Sequence, residues 1–207
     1  MLQYSAVEPG TLEVLKKLLA LPDLDDFYLA GGTALALYYG HRLSVDLDLF
    51  SATDFQSEIL LPVLERNFPD FSYSKPNAVG IFGFIGNVKV DFVRYHRHPA
   101  IGTPYIADGI RVISTHDIMA MKVAAILKRA VKKDFWDIAE LLDYYTIDDL
   151  IDCYNKKYPT HQLLISIPQA LIYFVEAEES EAPVSLKGQT WASIKKKISQ
   201  KVSSYLK

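Results

Sequence analysis

The stretch Ser44-Val45-Asp46-Leu47-Asp48-Leu49-Phe50 decides how this chain is read. Apolar and acidic residues alternate along it, which is the period of a strand. Side chains two apart share a face, so Asp46 and Asp48 stand side by side. Two bare carboxylates repel and are costly to leave unpaired in a cleft. A divalent cation removes that cost, and Mg²⁺ takes one or two protein carboxylates with substrate phosphates completing its shell. The plain alternative is an exposed strand edge. Val45, Leu47, Leu49 and Phe50 favour instead a mostly buried strand with its acids at a cleft.

Upstream, Phe27 to Ala30 reads as a buried strand that runs into Gly31-Gly32-Thr33. Thr33 to Tyr39 follows as a short helix, with Thr33 as N-cap and Gly40 as C-terminal stop. A strand, two glycines and a helix start let backbone N–H groups approach phosphate oxygens. A tight turn needing glycine for steric reasons alone is the simpler reading. Downstream, Val88 to Tyr95 is a strand, and Asp91 falls on the face opposite Val88, Val90 and Phe92. It is either a strand-edge charge or a third acid of the site, a general base or further metal ligand.

The remaining pattern places helices at Glu13 to Ala20 and at Asp54 to Arg66, the latter capped by Asp54. Strands are expected at Phe71 to Ser74 and Val79 to Ile85, with Gly86-Asn87 as a hairpin turn into Val88. After Arg111-Val112-Ile113 the character changes. Ser114 or Thr115 caps a long helix, and further helices follow at Asp134 to Tyr145, Asp148 to Lys157, Pro168 to Ala177 and Trp191 to Tyr205. Glu176 to Pro183 reads as an exposed acidic loop. The expectation is an α+β fold: a mixed-sheet core over residues 1–112 and an α-helical C-terminal lobe over 113–207.

Composition bounds the function. The chain has 207 residues, half of them hydrophobic, which is enough to fill a core and excludes wholesale disorder. A net charge of -3 excludes a globally basic nucleic-acid binder, so any RNA contact must be local. One cysteine, Cys153, excludes an internal disulfide and a multi-cysteine zinc site. Cys153 lacks an identifiable histidine or basic partner and reads as a buried small residue. The N-terminus MLQYSAVEPG has no signal-peptide pattern, and no apolar run is long enough to span a bilayer. A soluble cytoplasmic protein with no membrane role is the expectation.

The ordered strings Gly31-Gly32-Thr33-Ala34-Leu35-Ala36-Leu37 and His41-Arg42-Leu43-Ser44-Val45-Asp46-Leu47-Asp48-Leu49-Phe50 resemble the nucleotidyltransferase signature of the AbiEii/AbiGii toxin family, within the DNA polymerase β-like superfamily. A second block resembles it too: Asp117 to Ile126, then Lys128-Arg129 and Lys133-Asp134-Phe135-Trp136-Asp137-Ile138. The resemblance covers roughly residues 27 to 145.

It implies a polymerase-β-like core and an enzyme that transfers a nucleoside monophosphate from an NTP to an acceptor hydroxyl. Asp46, Asp48 and Asp91 would hold Mg²⁺, with Mn²⁺ the alternative. Gly31, Gly32, Thr33, Ser44, Lys122 and Arg129 would bind the nucleotide. Lys122 would stabilise charge at transfer, supported by Asp137 in preference to Asp134. The family implies a bacterial toxin or phage-defence protein, tRNA as acceptor and a separately encoded antitoxin as partner. The superfamily often has Gly-Ser where this chain has Gly32-Thr33, which keeps the hydroxyl. A protein or small-molecule acceptor and a non-catalytic binding module are the rival readings.

Lys122, Ile126 and Arg129 are one turn apart, so Lys122 and Arg129 share a helix face. Lys128, Arg129, Lys132 and Lys133 form a basic patch suited to RNA phosphates, and Lys195-Lys196-Lys197 reads as a solvated helix face. Either His41 or Arg42 could touch a phosphate. Arg42 could equally neutralise the acids structurally, and neither is given a catalytic role.

Overall fold

The alternation around Asp48 becomes a central strand in the computed structural model, which describes residues 1–207. Strands β1 (Phe27–Ala30), β2 (Leu47–Ser51), β3 (Phe71–Tyr73), β4 (Gly80–Ile85), β5 (Val88–Arg94), β6 (Tyr105–Ala107) and β7 (Ile110–Val112) form one mixed sheet. Their order is β3-β4-β5-β2-β1-β7-β6. β2 lies antiparallel to β1 and parallel to β5, with Asp48 opposite Ala30 on one side and Asp91 on the other. Leu47 and Leu49 are buried on one face, and Asp48 and Phe50 are half-buried on the other. That is the alternation read from the sequence.

Helices α1 (Pro9–Leu19), α2 (Gly31–Tyr39), α3 (Ser57–Asn67), α4 (Thr115–Arg129), α5 (Lys132–Leu141), α6 (Ile147–Lys157), α7 (Ile167–Leu171) and α8 (Trp191–Tyr205) flank the sheet. One continuous hydrophobic core includes Leu29, Leu49 and Phe92 from strands together with Phe135, Trp136 and Ile198 from the later helices. The start of α4 is tied to the end of α6 by a buried ion pair, Lys157 Nζ to Asp117 Oδ1 at 2.5 Å. Burial pushes the Asp117 carboxyl up, but Lys157, Ser114 and the backbone N–H groups of Ile101 and Gly102 outweigh it and hold it lowered.

Several boundaries differ from the sequence expectation. α2 begins at Gly31 with Ala30 at the cap position, because the Thr33 hydroxyl is spent on Ser44 and the Asp46 carbonyl. β2 begins at Leu47; Ser44 instead bridges to Val7. α3 follows Gln56, not Asp54, whose carboxylate pairs with Arg94 at 3.3 Å. α5 starts at Lys132, just after the left-handed Ala130, and ends at Leu141. The helix expected at Pro168 to Ala177 is α7, opened by a Ser166/Gln169 capping box, plus a separate turn at Val175–Ala177. The hairpin of β6 and β7 was missed, although Asp108-Gly109, both at positive φ, is an Asp-Gly turn signal. The Gly86-Asn87 hairpin forms as expected.

Candidate active site

Asp46 and Asp48 line one cleft of about 530 Å³. Its other walls are Gly32 and Thr33 of α2, the link Arg42 to Val45, Lys122 and Arg129 of α4, Val131, Lys133 of α5, and Ser180 to Val184. Two segments far apart in sequence thus put acids and cations across from each other. The first turn of α2 opens here without a side-chain cap, which leaves backbone N–H groups available to an anion.

Both glycines sit under close approach. Gly31 has φ +67°, and a Cβ there would fall 2.2 Å from Asp48 Oδ2. A Cβ on Gly32 would fall 2.0 Å from Arg42 Nη2. The steric reading of Gly-Gly therefore holds: these positions let a carboxylate and a guanidinium pack on the helix start. Gly31 itself does not line the cleft. Gly31→Ala is expected to destabilise the fold by about 1–3 kcal/mol from backbone conformation alone and to displace Asp48. Urea unfolding checks the first effect, and a wild-type midpoint would contradict it.

Thr33 and Ser44 are buried, with their hydroxyl oxygens 2.8 Å apart. They hold the α2 start against the approach to β2. Asp48 has no hydrogen-bond donor or ion-pair partner in the structure, and burial pushes its carboxyl up, with Asp91 and Asp46 adding to the shift and Lys122 and Lys89 opposing it. Asp91 is paired in register with Asp48; Lys89 Nζ lies 2.6 Å from its Oδ2, and its Oδ1 is buried without a partner. Asp46 Oδ2 is 3.3 Å from Lys133 Nζ. Asp91 stands beside Asp48 but does not line the same cleft; it opens with Lys89 into a separate hollow against β3 and β4, and no group of three acidic, histidine or cysteine side chains is gathered into a metal-holding cluster. Lys89 and Lys133 occupy two of the three carboxylates.

Behind the cleft wall lies a buried ionic cluster. Asp137, fully buried, receives Arg42 Nε at 2.7 Å and Arg42 Nη2 at 3.0 Å. His41 Nε2 lies 2.7 Å and Lys122 Nζ 2.6 Å from the same carboxylate. Lys122 also pairs with Asp134 at 2.8 Å, and Arg129 Nε lies 3.5 Å from Asp134. Burial pushes Asp137 up, yet Arg42 and Lys122 outweigh it and hold it well below the carboxylate range. Burial likewise pushes Lys122 down, and Asp137 and Asp134 outweigh that to keep it charged. Both acids, not one, support Lys122. Asp137, expected among the catalytic residues, does not line the cleft; it sits behind it, in contact with Lys122.

Sequence reasoning missed His41, which holds Asp137, and Lys133, which reaches across to Asp46. Arg42 neutralises an acid, one of the readings open to it, but that acid is the distant Asp137. The loop Glu176 to Pro183 is mostly exposed, as read, and its end also supplies a wall of the cleft. Most of the basic patch has partners within the chain. Lys132 bonds the carbonyls of Glu178 and Ser180, Lys133 and Arg129 face acids, and Lys128 makes neither an ion pair nor a side-chain hydrogen bond. Cys153 is buried, and burial pushes its thiol up.

The chain is 31% identical over 210 residues to the uncharacterized protein aq_aa25 of Aquifex aeolicus (strain VF5), covering 94% of this chain and 95% of that one. The fold is similar to a candidate nucleotidyltransferase from H. pylori, with a TM-score of 0.59 at 17% identity over 95% of each chain. It is also similar to the nucleotidyltransferase toxin MenT4 of Mycobacterium tuberculosis H37Rv, with a TM-score of 0.51 at 15% identity over 91% of this chain and 81% of that one. The family model for the nucleotidyl transferase AbiEii toxin of Type IV toxin–antitoxin systems matches residues 13–205, and the chain belongs to that family.

Proposed function

We propose that this protein transfers a nucleoside monophosphate from an NTP to the hydroxyl of an RNA acceptor, with tRNA the acceptor class, as the toxin of a toxin–antitoxin pair. The observation that carries the reading is the cleft itself. Asp46 and Asp48 face Lys122, Arg129 and Lys133 across it, at the uncapped N-terminus of α2. Membership of a toxin family supports a separately encoded antitoxin as partner. We propose residues 1–112 as the catalytic core, with 113–207 completing the cleft through Lys122.

The residues fit a divalent cation in their chemistry. The donors are hard carboxylate oxygens, Asp48 is unpaired, and Asp91 Oδ1 is buried and orphaned. Lys89 and Lys133 are about half exposed, so their ion pairs are worth little and yield readily to a cation. Bound Mg²⁺ or Mn²⁺ would supply charge stabilisation to the attacking and leaving oxygens. Asp46 and Asp48 would hold it, with Asp91 as third ligand or as acceptor of the hydroxyl proton. The N–H groups at the start of α2, with Arg129 and Lys133, hold the triphosphate. Lys122, kept charged by Asp134 and Asp137, faces the charge that builds at transfer. The acceptor oxygen bonds to the α-phosphorus, the bond to the α–β bridging oxygen breaks, and pyrophosphate leaves.

The test is label transfer from α-³²P-NTPs with Mg²⁺ or Mn²⁺ into total RNA and protein-containing lysate. Label in a discrete tRNA band, lost on chelation, is expected. Label only in protein or in a small molecule would replace the acceptor. No label under any metal would leave a binding module.

A further inference from the structure

We propose that the segment Glu181-Ala182-Pro183-Val184 reads the nucleobase of the bound NTP and selects bases that carry an exocyclic amino group. The proposal rests on the reading of the cleft as an NTP site and adds its direction and its specificity.

The segment is a strap fastened at both ends. On one side Ser180 Oγ accepts from Lys132 N at 2.9 Å, and Lys132 Nζ donates to the Ser180 carbonyl at 2.7 Å. On the other, the Val184 carbonyl accepts from Leu43 N at 2.9 Å, and Leu186 N donates to the His41 carbonyl at 3.0 Å. Lys187 adds an ion pair to the buried Glu140 at 2.6 Å. Between these anchors, Glu181 and Ala182 donate no backbone hydrogen bond, and the carbonyls of Glu181, Ala182 and Pro183 accept none. Fixed backbone with unpaired donors and acceptors, facing a cleft, is suited to reading the edge of a planar base.

The basic residues of the cleft, Lys122, Arg129 and Lys133, come from α4 and α5. The strap brings the opposite chemistry. Val184 is 63% exposed and Val45, on the neighbouring segment of the same lining, 50%, so apolar surface stands open where a base ring could cover it. Glu181 lines the same cleft as Arg129 and Lys133, yet forms no ion pair with either. A carboxylate would repel phosphate, which assigns the triphosphate to the α2 end and the base to the strap. An ionised carboxylate only accepts hydrogen bonds, so it favours the amino groups of adenine, cytosine or guanine and disfavours the O4 carbonyl of uracil.

The test is calorimetric binding of the four non-hydrolysable NTP analogues and of tripolyphosphate, with Mg²⁺, to wild type and Glu181→Gln. Glu181 is exposed and makes no hydrogen bond, so the variant folds. Wild type is expected to bind at least one amino-bearing nucleotide about tenfold tighter than the UTP analogue, the scale of a hydrogen bond to a charged group. In Glu181→Gln the amide both donates and accepts, so the preference should collapse to within about twofold while tripolyphosphate binding stays. Binding without base preference, or a preference unchanged in Glu181→Gln, overturns this inference alone. Failure of wild type to bind any NTP overturns the NTP reading and this inference with it.

Discussion

Replacing Asp137 with asparagine should cost the fold about 3–5 kcal/mol, the scale seen when one partner of a buried ion pair is removed. Asp137 is the common acceptor for Arg42, His41 and Lys122, and its surroundings exclude water. Taking away its charge leaves Arg42 buried with no other carboxylate in ion-pair contact. Against a typical total stability of about 5–15 kcal/mol, that loss is a large fraction. Asp134→Asn should cost less, because Lys122 keeps Asp137 and the other cation it faces, Arg129, is 60% exposed and returns to water. Urea unfolding of both variants measures the order. Equal midpoints, or Asp134→Asn the weaker protein, would show that Asp137 is not the hub of the cluster.

Asp48→Asn should do the opposite: keep the fold and stop the chemistry. Burial raises the Asp48 carboxyl, and no cation or donor bonds to it. A carboxyl raised on folding contributes least above its folded pKa, so stability is lost as pH climbs from the unfolded value through the folded one. At neutral pH the neutral amide should therefore be the more stable side chain, by about 1 kcal/mol. Transfer should fall by at least about a thousandfold, roughly 4 kcal/mol of barrier, since the substitution removes charge where a metal and phosphate must meet. Thermal unfolding and label transfer on the same preparation separate the two effects. A variant that is less stable and still active would reverse the assignment.

These contrasts explain what the sequence could and could not disclose. The alternation at Asp46 and Asp48 is a local period, so the strand, the burial of Leu47 and Leu49 and the acidic face were all legible. Asp91 was legible as an acid in a strand, but its pairing opposite Asp48 depends on parallel register between β2 and β5, set by the whole sheet. His41 and Arg42 looked like loop residues. Their role came from Asp137, almost a hundred positions away, and no spacing rule reaches that far. The acidic run after Glu176 is mostly solvated, as its polar composition suggests. That its end also lines the cleft follows from Lys132, His41 and Leu43, which fasten it there mainly through backbone groups that carry no side-chain signature. The Thr33 cap was a local rule overridden by tertiary contact: the hydroxyl found the Asp46 carbonyl and Ser44 instead.

The central claim is that the α-phosphorus of an NTP is the reacting centre, and position-specific label tests it most directly. Wild type, Mg²⁺ and total RNA are incubated in parallel with α-³²P- and γ-³²P-NTP. Nucleotidyl transfer predicts α-label in the acceptor, γ-label released as pyrophosphate, and neither with Asp48→Asn. Gamma-label in the acceptor, or α-labelling undiminished in Asp48→Asn, would contradict it.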